Sequence, residues 1–341
     1  MKAARVYEPG KIVIEEVPLP ELEENDVLIK VHRAGICGTD VGVLHGYVPA
    51  KFPVTLGHEF SGTVAKLGSP SLISRFKEGD PVSAAGGWGC KECDFCRQGM
   101  VRFCKQRYGL GRTVDGCMAE FVKMDSRVVF RLPPSVPFDE SQNFLNIACV
   151  FRAFKKAPLQ PGDKVVIFGP GNIGLIMLQL IKLAGASQVI MVGTRDFRLG
   201  MAKKFGATHV VNVTQENPVK TILELFPNGA DVVMEATGNP LSFPDACAVI
   251  KPGGALVSMG LFSGKVKEVD LSFLYKIEAV IYGSNGGEEG YQEALRLLAE
   301  KRLEIIPMIT HRFPLEDTAK GFQTFEDKGA NALRIIIEPA A

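Results

Sequence analysis

Residues 165–174 read Val-Val-Ile-Phe-Gly-Pro-Gly-Asn-Ile-Gly. An apolar strand runs into a three-glycine turn, and the turn opens directly onto a helical pattern. In that context each glycine has a purpose. Gly169 permits the tight turn, Gly171 lets backbone approach a pyrophosphate, and Gly174 lets the helix lie close to the strand. The free N–H groups of the first helical turn then face an anion. Gly169, Gly171, Asn172, Ile173 and Gly174 are therefore candidate dinucleotide-binding residues, against the plainer reading of a glycine turn with no ligand.

The alternation continues beyond this turn. Val189–Val192 reads as a strand, Asp196–Phe205 as a helix, Asp231–Glu235 as a strand, Leu241–Ile250 as a helix and Ala255–Met259 as a strand. Strands alternating with helices predict a parallel sheet covered on both faces, ending near Ile281–Ser284. Upstream, short strand patterns such as Lys11–Glu16 and Val27–His32 run to about residue 129, and Pro133, Pro134 and Pro137 punctuate the junction. Downstream, Tyr291–Lys301 and Glu316–Glu326 read as helices and Arg334–Ile337 as a strand that packs back on the first domain. A chain of 341 residues suits two domains. The expected fold class is α/β: a doubly wound parallel-sheet dinucleotide-binding domain at 147–284, and a mostly β domain from 1–146 plus 285–341.

Composition excludes several classes. A formal net charge of +1 offers no field for nucleic acid or an anionic membrane. No apolar run reaches the roughly 18 residues of a membrane span, and Met1–Gly10 does not read as a signal peptide. The cytoplasm is the expected location. There the eight cysteines need a purpose other than disulfides. Cys90, Cys93, Cys96 and Cys104 crowd into one short loop. Four thiolates at such spacing suit a closed, tetrahedral, structural zinc site. Free surface thiols and an iron–sulfur cluster are the rival readings. Cys117 and Cys247 read as buried thiols.

Cys37-Gly-Thr39-Asp40 and Gly57-His58-Glu59 are weak signals singly. Taken with the four-cysteine loop, the dinucleotide turn and the C-terminal return, they make the chain resemble the zinc-containing medium-chain alcohol dehydrogenases. That family includes sorbitol and threonine dehydrogenases, and the resemblance covers nearly the whole chain. It implies a GroES-like first domain, two zinc ions per chain, a nicotinamide coenzyme, and a homodimer or homotetramer. It further implies that Cys37 and His58 ligate a catalytic zinc, with Glu59 a nearby carboxylate able to bind it in some states. By the same resemblance Thr39 and Asp40 are the candidate catalytic residues: Thr39 hydrogen-bonds the substrate hydroxyl and starts the proton path, and Asp40 orients His58. A zinc in this position favours the alkoxide form of an alcohol, which gives up hydride readily.

Two positions depart from the family pattern. The third protein ligand of the catalytic zinc is due at Leu145, which cannot ligate. Of the neighbours Asn143, Asn146 and Cys149, only Cys149 is a good zinc donor. The position of a relay histidine holds Gly42. His45 lies nearby and reads as a loop histidine.

Coenzyme choice is read at the end of the second strand of the dinucleotide unit. An acidic residue about 20 positions past the glycines would bind a ribose 2′-hydroxyl, as in NAD. The counted position is Gly193, followed by Thr194 and Arg195. A small residue, a hydroxyl and a guanidinium suit a 2′-phosphate, so NADP is favoured over NAD. Asp196 is expected to start the next helix as its cap. Glu235–Gly238 reads equally as a coenzyme contact and as a strand-to-helix turn, and Trp88 as a subunit contact or as core.

The expected function is hydride transfer between NADP(H) and a secondary alcohol, polyol or ketone, with no nucleic-acid or membrane partner. The alternatives are a zinc-independent reductase of the same fold and a coenzyme-binding sensor without turnover, both prompted by Leu145.

Overall fold

The computed structural model describes residues 1–266 and 268–339. Its contacts divide the chain into two compact units, Met1–Ala148 with Tyr291–Ala341, and Cys149–Gly290. The boundaries expected from sequence lie at 146 and 284, and the last two residues of the C-terminal segment lie outside the described residues.

The first unit is built on a ten-residue strand, β1 (Asp26–Gly35). It lies between two antiparallel neighbours, β2 (Glu59–Leu67) and β10 (Arg334–Glu338), and β10 in turn pairs in parallel with β9 (Ile309–Pro314). Val27, Ile29 and Val31 alternate into a core that includes Val64, Val82, Val122 and Phe322. Burying each such side chain contributes about 1.5–3 kcal/mol. The register decides where the site forms. Gly35 pairs with Glu59 on one side and with Ile336 on the other. The end of β1 therefore delivers Cys37 to the same edge of the sheet where His58 enters β2. The C-terminal return onto the first domain, expected from sequence, is the β10–β1 pairing.

Cys37 is the N-cap of a short helix, α1 (Gly38–Leu44). The Asp40 carboxylate accepts the Cys37 backbone N–H at 3.0 Å, as in a capping box. One local contact thus ties together the candidate ligand and the residue that faces His58.

The second unit holds six parallel strands: β3 (Lys164–Phe168), β4 (Gln188–Gly193), β5 (His209–Asn212), β6 (Ala230–Glu235), β7 (Ile250–Ser258) and β8 (Val280–Gly283). Their order is β5-β4-β3-β6-β7-β8. Strand order reverses between β3 and β6, which makes the carboxyl ends of those two strands the binding crevice of a doubly wound sheet. Helix α2 (Phe144–Lys156) precedes β3, and helix α3 (Asn172–Leu183) follows the glycine turn.

Several expected elements shift. The helix read over Leu241–Ile250 spans Ser242–Ala248, and Ile250 already begins β7. β5 is too short, at four residues, to show a period in sequence, and the Pro218–Leu225 helix was missed although Asn217 caps it and Pro218 opens it. Helix α4 (Asp196–Lys204) begins at Asp196, but its N-cap is Arg195, with no side-chain cap bond. Asp196 instead accepts from Asn212 Nδ2 at 2.7 Å.

Candidate active site and metal centres

Cys37, His58 and Glu59 offer ligand atoms within 4.8 Å of one another. His58 Nδ1 lies 2.9 Å from Asp40 Oδ1, and Asp40 is 1% exposed. A carboxylate there fixes a proton on Nδ1, so that Nε2 is the nitrogen that would give up its proton to ligate a metal. That nitrogen points toward Glu59, whose Oε1 is 3.8 Å away. Thr39 Oγ1 lies 3.8 Å from the Cys37 sulfur. The site is built largely from backbone geometry. Gly57 takes a φ of +96°, and a Cβ there would stand 2.8 Å from Met118 Cγ and 2.9 Å from Cys117 Sγ, so only glycine lets the chain turn His58 toward Cys37.

Burial opposes charge throughout this cluster. It raises the Cys37 thiol, with a smaller push from the Glu59 carboxylate. Burial also disfavours a charged His58, yet Asp40 and Cys37 outweigh it and raise the imidazole well above its usual value. Glu59 is buried too, but Arg334 and His58 hold its carboxyl below the usual range. A thiol, an imidazole and a carboxylate crowded together and out of water form a donor set that fits a divalent zinc.

Glu59 is itself held from behind. Its Oε1 accepts Asn146 Nδ2 at 2.7 Å, and its Oε2 pairs with Arg334 Nη1. Arg334 is 2% exposed. Its Nε donates to Gln142 Oε1 at 2.8 Å and its Nη1 to the Ile36 carbonyl at 3.3 Å. To get there the guanidinium lies flat over Gly35, where a Cβ would fall 1.7 Å from Nη2. Sequence reasoning missed Arg334 and Gln142. The available signal was a lone arginine opening an otherwise apolar strand, Arg334-Ile-Ile-Ile.

Leu145 is buried, and its Cδ2 lies 2.9 Å from where a Cβ on Gly86 would stand, with His58 Cδ2 3.8 Å from the same point. It fills apolar space beside the imidazole. Asn146 serves Glu59, and the ligand cluster does not include Cys149. Gly42 is covered by Val48 and Tyr47: a Cβ there would stand 2.4 Å from Val48 Cγ2 and 2.7 and 3.2 Å from two Tyr47 ring carbons. His45 pairs with Glu326 at 2.7 Å.

The four sulfurs of Cys90, Cys93, Cys96 and Cys104 also lie within 4.8 Å of one another. Tetrahedral zinc with Zn–S bonds of about 2.3 Å places its sulfurs about 3.8 Å apart, and Cys90 and Cys96 are 3.9 Å apart. Backbone N–H groups already point at this sulfur cluster: Cys93 donates to Cys90 Sγ and Cys90 to Cys104 Sγ, each at 3.4 Å. The Cys93 and Glu92 N–H groups bring the Cys90 thiol down to about 6. Burial and the neighbouring thiols push Cys96 up to about 12. Four thiols within contact of one another, with backbone N–H groups aimed at two of them, form a donor set that fits a tetrahedral zinc. Beside this lobe, Trp88 stacks on Tyr108 at 5.4 Å and packs against the core.

In the second unit, Gly169 takes a φ of +105°, and Gly174 is pinned where a Cβ would meet the Gly169 carbonyl at 1.9 Å. Helix α3 opens at Asn172 with Gly171 as its N-cap. Across the crevice, the fully buried Glu235 accepts the Thr237 and Gly238 N–H groups at 2.8 and 3.2 Å. That network makes 235–238 a braced turn against which Gly169 packs.

Residues 23–134 match the family described as alcohol dehydrogenase GroES-like domain, and residues 172–300 that described as zinc-binding dehydrogenase. Sorbitol dehydrogenase of Bacillus subtilis is 31% identical across 99% of this chain and 97% of its own length. D-arabitol-phosphate dehydrogenase of Enterococcus avium is 33% identical over the same shares. A zinc-binding dehydrogenase of Sinorhizobium meliloti, solved bound to NADP, superposes with a TM-score of 0.94 at 30% identity, covering 99% of both chains. The chain belongs to the zinc-containing medium-chain alcohol dehydrogenases. Within that family it is an alcohol or polyol dehydrogenase that uses zinc and a nicotinamide coenzyme. No helix among the described residues is long and apolar enough to cross a membrane.

Proposed function

We propose that this enzyme binds two zinc ions per chain and transfers hydride between NADP(H) and a secondary alcohol, polyol or corresponding ketone. The observation that carries the reading is the Cys37–His58–Glu59 cluster, with Asp40 fixing the imidazole so that Nε2 is left to ligate. In this proposal residues 1–146 with 285–341 hold zinc and substrate, and residues 147–284 hold the coenzyme.

When bound, zinc supplies Lewis acidity at the substrate oxygen and the nicotinamide accepts the hydride. Cys37, His58 and Glu59 hold the metal. Asp40 positions His58, while Arg334 and Asn146 hold Glu59 in place. Thr39 takes the proton of the substrate hydroxyl and passes it toward water. Cys90, Cys93, Cys96 and Cys104 hold the structural ion. Gly169, Gly171, Asn172, Ile173 and Gly174 receive the pyrophosphate.

NADP is favoured over NAD by the charges at the end of β4. Gly193, Thr194 and Arg195 bring no carboxylate there. Asp196 is engaged with Asn212, and a buried Nη1 of Arg195 has no hydrogen-bond partner. One helical turn on, burial and the like charge of Arg195 bring Arg198 down to about 10. A 2′-phosphate is an anion with which the Arg195 guanidinium at this strand end can pair. No disulfide joins the eight cysteines, which suits the reducing cytoplasm proposed as the location. Assembly as a homodimer or homotetramer is supported by the edge strand β8, which pairs on one side only and carries Val280 and Ile281 at 45% and 43% exposure.

A panel of secondary alcohols, polyols and ketones, run with both coenzymes on zinc-loaded protein, tests the reading. Turnover should be faster with NADP than with NAD and should be lost in Cys37→Ala. Equal or better turnover with NAD would reject the coenzyme choice. Activity surviving Cys37→Ala would reject catalytic zinc.

A further inference from the structure

Gly193 closes β4 at the position where an acidic side chain would select NAD. A Cβ built on Gly193 stands 2.4 Å from Cγ and 2.5 Å from Cδ of Pro170, well inside the 3.0 Å that real Cβ atoms keep. Leu199 Cδ2 is 3.4 Å away on another side. The proline ring has little room to retreat. Pro170 is buried. Gly169, before it, donates its N–H to the Val192 carbonyl at 2.9 Å and packs against Ala236 and Thr237. The closed ring also has no rotamer that would carry its Cγ and Cδ away.

We propose that Pro170 is a coenzyme-specificity residue: its ring, seated on the Cα of Gly193, shuts a carboxylate out of the end of β4 and leaves the ribose 2′ position to Thr194 and Arg195. Glycine at 193 is thus imposed by the phosphate-binding turn itself, and acquiring NAD selectivity requires changes at both positions. The inference rests on the NADP reading for what occupies the 2′ position, whereas the Pro170–Gly193 coupling is measurable separately.

The test uses wild type, Pro170→Ala, Gly193→Asp and the double variant. NADPH and NADH are titrated by nucleotide fluorescence, and Tm is recorded for each protein. Gly193→Asp alone should lower Tm by about 3–10 °C and weaken NADPH about 100-fold without tightening NADH. The double variant should regain much of the lost Tm and bind NADH about tenfold more tightly than Gly193→Asp. If Gly193→Asp fails to fold, Gly193→Ala with and without Pro170→Ala carries the same test, because a lone Cβ already meets the ring. Additive effects of the two substitutions on both Tm and NADH binding would overturn the inference. A wild type that binds NADH more tightly than NADPH would overturn the 2′-phosphate reading, and with it Pro170's part in coenzyme choice. Non-additive Tm values would then leave only the steric coupling standing.

Discussion

Arg334 shows how much of the site depends on one side chain. A guanidinium with 2% exposure meets a carboxylate with 2% exposure across a span of 275 residues. Removing one partner of such a pair leaves a buried charge alone, at a cost of about 3–5 kcal/mol. Arg334→Leu should lose that much in urea unfolding, and a loss below about 1 kcal/mol would show that Glu59 finds other support. Leu145 invites the opposite change. A thiol placed beside His58 adds a donor where the family usually has one. Leu145→Cys should therefore slow zinc loss to a chelator about tenfold or more, and an unchanged rate would place the metal elsewhere.

Elements rather than single residues decide how the C-terminal segment is fastened. Asp139 accepts Arg33 Nε at 2.6 Å from β1, and Arg312 Nη2 at 2.6 Å from β9. Glu338 of β10 bonds the same Arg312 at 3.0 Å. The Arg312 hydrogen bond, with Arg33 adding to it, holds the Asp139 carboxyl below its usual range against the effect of burial. A depressed carboxyl contributes stability above its unfolded pKa of about 3.9, and loses that contribution as pH falls through the lower folded value. Asp139→Asn should cost about 1 kcal/mol at pH 7, allowing for the partial exposure of the network. The gap to wild type should close as pH drops below about 4, and a gap independent of pH would mean that the loss is packing alone.

The elements also show what was legible. The glycine turn and the cysteine loop are short-range patterns whose residues lie within a few positions of one another, so sequence spacing exposes them, whereas the helix start at Cys37 was not read from sequence. Glu59–Arg334 and Asn146–Glu59 join residues 275 and 87 apart, and no local period records such a contact. Tyr47 over Gly42 is intermediate. The two are close in sequence, but a ring lying on a bare Cα leaves no motif. β5 was missed because four residues cannot establish a period.

At the scale of the whole molecule, the exposed apolar side chains of edge strand β8 lead to a prediction of self-assembly. Light scattering should give two or four times the chain mass of 37.0 kDa, and Ile281→Lys should shift the protein toward monomer. A wild type already monomeric at micromolar concentration would reject that route. The central claim, however, is that one chain holds two zinc ions in different roles. Metal analysis of wild type and Cys37→Ser, after gel filtration, addresses it most directly. The expected result is about two zinc per chain in wild type and about one in Cys37→Ser, with the Cys90–Cys104 loop keeping its ion. One zinc per chain in both proteins would contradict it.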